Sequence, residues 1–467
     1  MATNKTYWKG IEELEKNPNF VNNSKNEFSE LLPVDEFLNK EEVKTEGTNR
    51  RDFLKFLGFS VTAATLAACE APVTRSIPFL NKPDNLTPGI PNYFASTYYD
   101  GFDYASILVK TREGRPIFID GNKNSTYTKG SANARINSSV LGLYDSKRAK
   151  GPAKKVKGSW AKNISWSEVI NPITKDLKSV ASRQGNIVIL SNTIISPSSK
   201  EVVNNFIASY SALGAKVKHV TYDAISASGI LDANNEVFGV RALPKYSFEK
   251  AKVIVSFGAD FLGTWLDSVA YTKDYASTRK PENGWMSKHY QFESLLSLTG
   301  SNADVRGALK PSDLNNAVAY VYSKVSGDSV SASVPANVKA KLDKAIQDLS
   351  ANKGSSLVVS GSNDKNIQVL VAAINNALNN YGSTVDINQP VYTRQGNDAE
   401  FVALSKEMNA GKVDALLIID ANPVYTSPAA LKFSEGLAKV DLKVYFGDRL
   451  DETATLCDYL TPNHHYL

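Results

Sequence analysis

Cysteine is nearly absent: the 467 residues contain two, Cys69 and Cys457. A cubane iron–sulfur cluster takes four thiolates, so this chain cannot ligate one by itself. If Cys69 is modified, Cys457 has no disulfide partner and reads as a small buried hydrophobe. Histidine is scarce too, at His219, His289, His464 and His465. Neighbours on an extended segment point to opposite faces, so His464 and His465 make a poor chelating pair. His289 stands four residues before Glu293, a helical spacing, and reads as a satisfied structural histidine rather than a base or metal ligand. No Gly-x-Ser-x-Gly elbow, metalloprotease helix, P-loop or complete Gly-x-Gly-x-x-Gly occurs. The net charge of +5 is small for this length. Lysine reads as spread along the chain with no basic block, so nucleic acid is not an expected partner.

What is present begins with an export pattern. Arg50 and Arg51, followed by Phe53, Leu54 and Lys55, match a twin-arginine signal. The apolar run 56–68 is short of the ~20 residues that span a bilayer, and it ends in Leu66-Ala67-Ala68-Cys69, a lipobox. Residues 49–69 are therefore expected to export the chain and to anchor it through an acylated Cys69. Upstream, 1–48 is an unusually long leader with one short amphipathic segment around Tyr7 to Glu15. Residues 70–91 read as a proline-bearing tether.

Beyond the tether the pattern is that of a layered α/β protein. Residues 106–110 and 115–120 are short β-rich runs joined by Arg-Glu-Gly, a hairpin within a small β-rich domain at 92–150. Continuous apolar strands then alternate with helices. Strands are expected at 187–190, 217–220, 253–257, 357–359, 415–419 and 444–446. One intervening helix opens at Pro197 and closes at Gly214; another carries Ile367, Leu370, Val371, Ile374 and Leu378 on one face. Such alternation predicts parallel sheets covered on both faces. The chain is divided into a first α/β lobe at 155–322 and a second at 340–467, joined across a Ser/Lys-rich stretch at 323–340.

In open parallel sheets, ligands sit at the carboxyl ends of the strands. The candidate loops are Gly258-Ala259-Asp260-Phe261, Gly361-Ser362-Asn363-Asp364 and Asp420-Ala421-Asn422-Pro423. Each could offer backbone N–H groups and a polar side chain to a phosphate. Ordinary turn chemistry explains the same residues.

Several segments carry a family resemblance. Tyr93-Phe-Ala-Ser-Thr, Val109 through Pro116 to Gly121-Asn122, and Ala134-Arg135 leading to Asp145 resemble the start of molybdopterin oxidoreductases. Trp166, Gly258 through Trp265, Asn422-Pro423 and Asp451-Glu-Thr-Ala454 extend the resemblance over nearly everything after the anchor. The leader Tyr7-Trp-Lys-Gly-Ile-Glu-Glu-Leu before a twin-arginine signal resembles one branch, the large iron–sulfur subunit of alternative complex III, a bacterial quinol-oxidising membrane complex. The resemblance implies a small β-rich domain followed by two Rossmann-like lobes, on the periplasmic face of the inner membrane. Partners implied are a multihaem cytochrome and integral-membrane quinol-binding subunits.

Departures from the family pattern shape the functional expectation. Active members open with four cluster cysteines; residues 92–135 contain none, and Asn133 stands where the last would align. No mid-chain cysteine is available for molybdenum, and Ser191 or Ser196 are unsupported substitutes. The expectation is a cofactor-free scaffold, with no catalytic or metal residue in this chain. Should a pterin bind, Gly258, Asp260, Gly361, Asn363 and Asn422 are the candidate contacts. Iron–sulfur clusters are expected in a region beyond Leu467, where the family continues. Two alternatives are a genuine molybdopterin enzyme and a lipid-anchored solute-binding protein.

Overall fold

The computed structural model describes residues 86–467, Pro88 excepted. The leader, Arg50, Arg51, Cys69 and most of the tether lie outside the described residues. Sixteen strands follow in order. β1 (Asn92–Tyr99), β2 (Tyr104–Arg112) and β3 (Arg115–Gly121) form an antiparallel sheet. The expected hairpin is β2–β3, turning through Glu113 and Gly114, both at positive φ as a two-residue turn requires. Its inner face packs Ile107, Val109 and Ile119 against Ile136.

Next come β4 (Ala153–Val156), β5 (Ser159–Lys162), β6 (Asn186–Ser191), β7 (Lys216–Thr221), β8 (Leu243–Tyr246), β9 (Val253–Phe257) and β10 (Lys288–Glu293). The remainder are β11 (Val305–Ala308), β12 (Ser356–Ser360), β13 (Val385–Val391), β14 (Ala415–Ile419), β15 (Leu442–Phe446) and β16 (Tyr459–Thr461). They build a seven-stranded sheet, β5-β4-β16-β15-β14-β6-β7, and a four-stranded sheet, β11-β10-β9-β12. β8 and β13 form an antiparallel ribbon. The six strands expected from apolar runs are all present, and those pairings are parallel.

The fold class is as expected, but its division along the chain is not. β6 pairs with β14, placing Leu190 beside Ile418, so the early and late segments share one sheet. β9 pairs with β12, placing Val255 beside Val358, so the other sheet is built by the middle of the chain. Residues 323–340 do not join two lobes. They link helices Pro311–Ser326 and Ala336–Ala351, whose Val318, Val321, Leu342 and Leu349 pack in one core with Val255 and Phe292. The physical reason is that apolar alternation fixes whether a strand is buried on both faces. It does not fix which strand lies beside it.

His289 is likewise structural, on different geometry. Lys288–Glu293 is a strand, so His289, Gln291 and Glu293 share a face at period two. His289 Nε2 lies 3.2 Å from Gln291 Oε1, and Gln291 Nε2 donates to Glu293 Oε2 at 3.1 Å. Burial pushes His289 down to about 4, so it is neutral near pH 7. Cys457 is fully buried, its Sγ 3.3 Å from the Thr453 carbonyl, and burial raises the thiol to about 12. It behaves as the inert small hydrophobe expected. Among the described residues no helix is long and apolar enough to cross a membrane.

Candidate functional site

Each parallel sheet contains one place where the chain reverses its direction of progress. In the four-stranded sheet that point lies between β9 and β12. In the seven-stranded sheet it lies between β6 and β14. Such switch points open a crevice beyond the strand ends.

The β9/β12 crevice gathers four of the five sequence candidates. Gly258 follows β9 at φ +66°, and Gly361 follows β12. A Cβ on Gly361 would stand 2.4 Å from the Gly258 carbonyl oxygen, so the two loops touch backbone to backbone. Around them Ser226, Asp260, Trp265, Asn363 and Arg394 help enclose a cavity of about 190 Å³. The chemistry of these groups is already directed inward. Asp260 Oδ1 accepts from the Thr299 amide at 3.0 Å and hydroxyl at 2.7 Å; its Oδ2 accepts from Thr264. Asn363 Oδ1 accepts from the Gly229 amide at 2.8 Å, and its Nδ2 donates to Asp398 at 3.1 Å. Ser226 Oγ takes the Ser228 amide at 3.0 Å. The first amides of helix Ser228–Phe238, the natural place for a phosphate, are thus bonded to the protein itself.

Arg394 is the charged side chain that no sequence signal marked. It is 2% exposed. Its guanidinium donates to the carbonyls of Gly101 at 2.9 Å and Phe102 at 2.7 Å and lies over the Phe102 ring. It fastens the N-terminal sheet to the crevice through neutral acceptors. Beside it Tyr127 donates to Asp267, whose carboxyl burial pushes up.

Asn422 is not part of this crevice. Its Oδ1 accepts from the Thr453 amide and hydroxyl, and its Nδ2 donates to Glu452 at 2.7 Å, bracing two short helices. Ser191 is fully buried, with Oγ 2.7 Å from His219 Nε2; Ser196 caps helix Pro197–Ala212. Neither lines the 190 Å³ cavity. Asn133 Oδ1 caps helix Ala134–Ser138 through the Ile136 amide, while its Nδ2 donates to buried Asp103. Its side chain is thus fully engaged in structural hydrogen bonds.

In the seven-stranded sheet the loops beyond β6 and β7 are tied together by Asp223, which the sequence reading passed over. Asp223 is 5% exposed and accepts from the Thr193 amide at 2.9 Å, the Thr193 hydroxyl at 2.8 Å and the Gly396 amide at 2.8 Å. It sits just past β7, so the strand-end rule that selected the other loops applies to it equally.

Sites for small molecules commonly occupy ~300–1,000 Å³, and the cavity here is smaller. The amides and carboxamide that would meet a phosphate are already bonded. Among the described residues no group of three or more His, Cys, Asp or Glu could hold a metal ion.

Comparison with known proteins bears on the fold. No family model matches the chain. Acetylene hydratase from Pelobacter acetylenicus superposes with a TM-score of 0.56 over 80% of this chain and 63% of its own, at 14% identity. The molybdopterin oxidoreductase-like α/β fold expected from the sequence is thereby the fold observed. A menaquinone reductase, molybdopterin-binding-like subunit from Nitratidesulfovibrio vulgaris is 23% identical over 400 residues. That match covers 76% of this chain, which spans about half the length of the relative, at 56%.

Proposed function

We propose that this region is a non-catalytic, molybdopterin oxidoreductase-like scaffold in a periplasm-facing subunit of a quinol-oxidising respiratory complex of the alternative complex III type. One observation carries the reading: in the crevice where this fold class would hold a cofactor, Asn363, Ser226 and Asp260 are already bonded to the protein itself. A genuine molybdopterin enzyme would need those groups free. The relative's name, a molybdopterin-binding-like subunit of a menaquinone reductase, supports a place in quinone-linked electron transport. In this reading Arg50 and Arg51 direct export, an acylated Cys69 anchors the chain, and the partners are a multihaem cytochrome and membrane-embedded quinol-binding subunits. Iron–sulfur clusters belong to a part of the protein outside this sequence. A solute-binding lipoprotein has less support, since the fold likeness and the relative both point elsewhere.

The test is purification of the full-length protein from its own membranes with its partners. Expected are haem-bearing and multi-pass subunits in fixed ratio, and no stoichiometric molybdenum or tungsten by elemental analysis. Deleting residues 160–460 should abolish assembly while cluster content elsewhere is retained. Stoichiometric molybdenum, or a chain that purifies alone, would overturn the reading.

A further inference from the structure

The most basic part of the molecule lies away from both crevices. Between residues 147 and 162, seven of sixteen positions are lysine or arginine and none is acidic. The small net charge of the chain conceals this block, and the expectation of evenly spread lysine is corrected here. The fold gathers the block around the β4–β5 hairpin at one edge of the seven-stranded sheet. There Lys147, Lys150, Lys162 and Arg449 border an open cleft of about 600 Å³. The two nearby carboxylates are engaged: Asp448 pairs with Arg148 at 3.4 Å and Asp145 with Arg449 at 3.2 Å. Among the described residues, Lys147, Lys150, Lys157 and Lys162 have no carboxylate within 4.0 Å.

The hairpin adds a second character. It turns through Lys157 and Gly158, both at positive φ, which projects the tip as a tight two-residue turn. Val156 at the tip is 46% exposed. Trp160 sits opposite Lys155 across the hairpin, half-buried against the sheet core. An apolar residue and a lysine at the tip, with further lysines on flexible stems at the hairpin base, suit a surface that is apolar within and anionic at its face. A closed cradle for one phosphate would instead present fixed amides or a bidentate arginine.

We propose that the β4–β5 hairpin and its cleft are a docking surface for an anionic phospholipid membrane, with lysines 147, 150, 157 and 162 at the headgroups and Val156 at the acyl boundary. The inference does not depend on the scaffold reading, since it concerns a different face and a different ligand.

It is tested on the full-length chain carrying Cys69→Ser, which removes the acylation site. Flotation is measured with vesicles of phosphatidylcholine alone and with vesicles containing phosphatidylglycerol. Binding is expected with the anionic vesicles only and should weaken as salt is raised. Lys147→Gln, Lys150→Gln and Lys162→Gln together should weaken it about a hundredfold, at the usual strength of a lysine near an anionic bilayer. An unchanged melting temperature shows that this variant is folded. A control with Lys250→Gln, Lys280→Gln and Lys353→Gln removes the same charge from elsewhere and should bind as before. Equal binding to neutral vesicles, equal loss in the control, or full binding by the cleft variant overturns the proposal. So does stronger retention on duplex DNA or an acidic polypeptide than on anionic vesicles.

Discussion

The two switch-point crevices are alike in topology and opposite in finish. At β9/β12 two loops meet through glycine backbones, and a cavity survives beside buried Arg394. Beyond β6 and β7, in the other sheet, one buried carboxylate, Asp223, gathers amides from two other segments. The same βα architecture thus yields a notch walled by touching glycine loops in one sheet and loops tied by a buried carboxylate in the other. Function lives in the loops that finish a fold, and here both finishes bond polar loop groups to the protein itself.

Breaking the tie at Asp223 should have the largest effect. Asp223→Ala strands the amides of Thr193, Gln395 and Gly396 without an acceptor in the interior. A buried donor left without its acceptor costs ~1–3 kcal/mol, and with several stranded the expected loss in urea unfolding is at least ~3 kcal/mol. Asp223→Asn keeps an acceptor oxygen and should lose roughly half as much. If Asp223→Ala were neutral, the loops would not be held by this group.

The notch should break less severely. Gly361→Ala puts a methyl group 2.4 Å from the Gly258 carbonyl, and neither loop can retreat without disturbing β9 or β12. Overpacking of this kind costs ~1–3 kcal/mol. Gly258→Ala is expected to be costly for a different reason, its φ of +66°. A stabilised Gly361→Ala would mean that the loops are further apart than described.

Much of this contrast could be read in the sequence, and the unread part has a physical pattern. Apolar runs such as Val253–Phe257 and Ala415–Ile419 marked buried strands because both faces of a covered parallel sheet are apolar. The strand-end rule then picked Gly258, Asp260, Gly361 and Asn363, which do converge. Asn422 failed because the same rule cannot tell a ligand-facing asparagine from one that braces a helix. Asp223 and Arg394 left no local trace, since each acts on partners from distant parts of the chain: 30 and 173 residues away for Asp223, 292 and 293 for Arg394. Strand pairing was invisible for the same reason. The basic hairpin was visible in the sequence, but the small net charge of the whole chain led to lysine being read as evenly spread.

A third prediction sharpens the comparison on the notch side, where the N-terminal sheet is clamped by titrating groups. Lys129 Nζ lies 2.7 Å from Asp274 Oδ1 and 3.8 Å from Glu249. Burial, with the neighbouring Glu249, pushes Asp274 up to about 7, against an ordinary carboxylate value of ~3.9. The folded state therefore holds a proton between about pH 4 and 7 that the unfolded chain has released, and Asp274 makes stability fall as pH rises through that window. His289 works in the opposite sense, because its folded value of about 4 lies below the unfolded ~6.5 and its burial makes stability rise with pH there. The two slopes oppose each other, and each is read as the difference between a variant and the unmodified chain, to whose profile Asp420, pushed up to about 6 by burial, also contributes. Asp274→Asn should expose the His289 slope, with stability climbing as pH goes from about 4 to 6.5. His289→Asn should expose the reverse, with stability falling toward pH 7. Urea midpoints for the three proteins at a series of pH values check this directly. Parallel profiles in all three would mean that neither group titrates differently when folded.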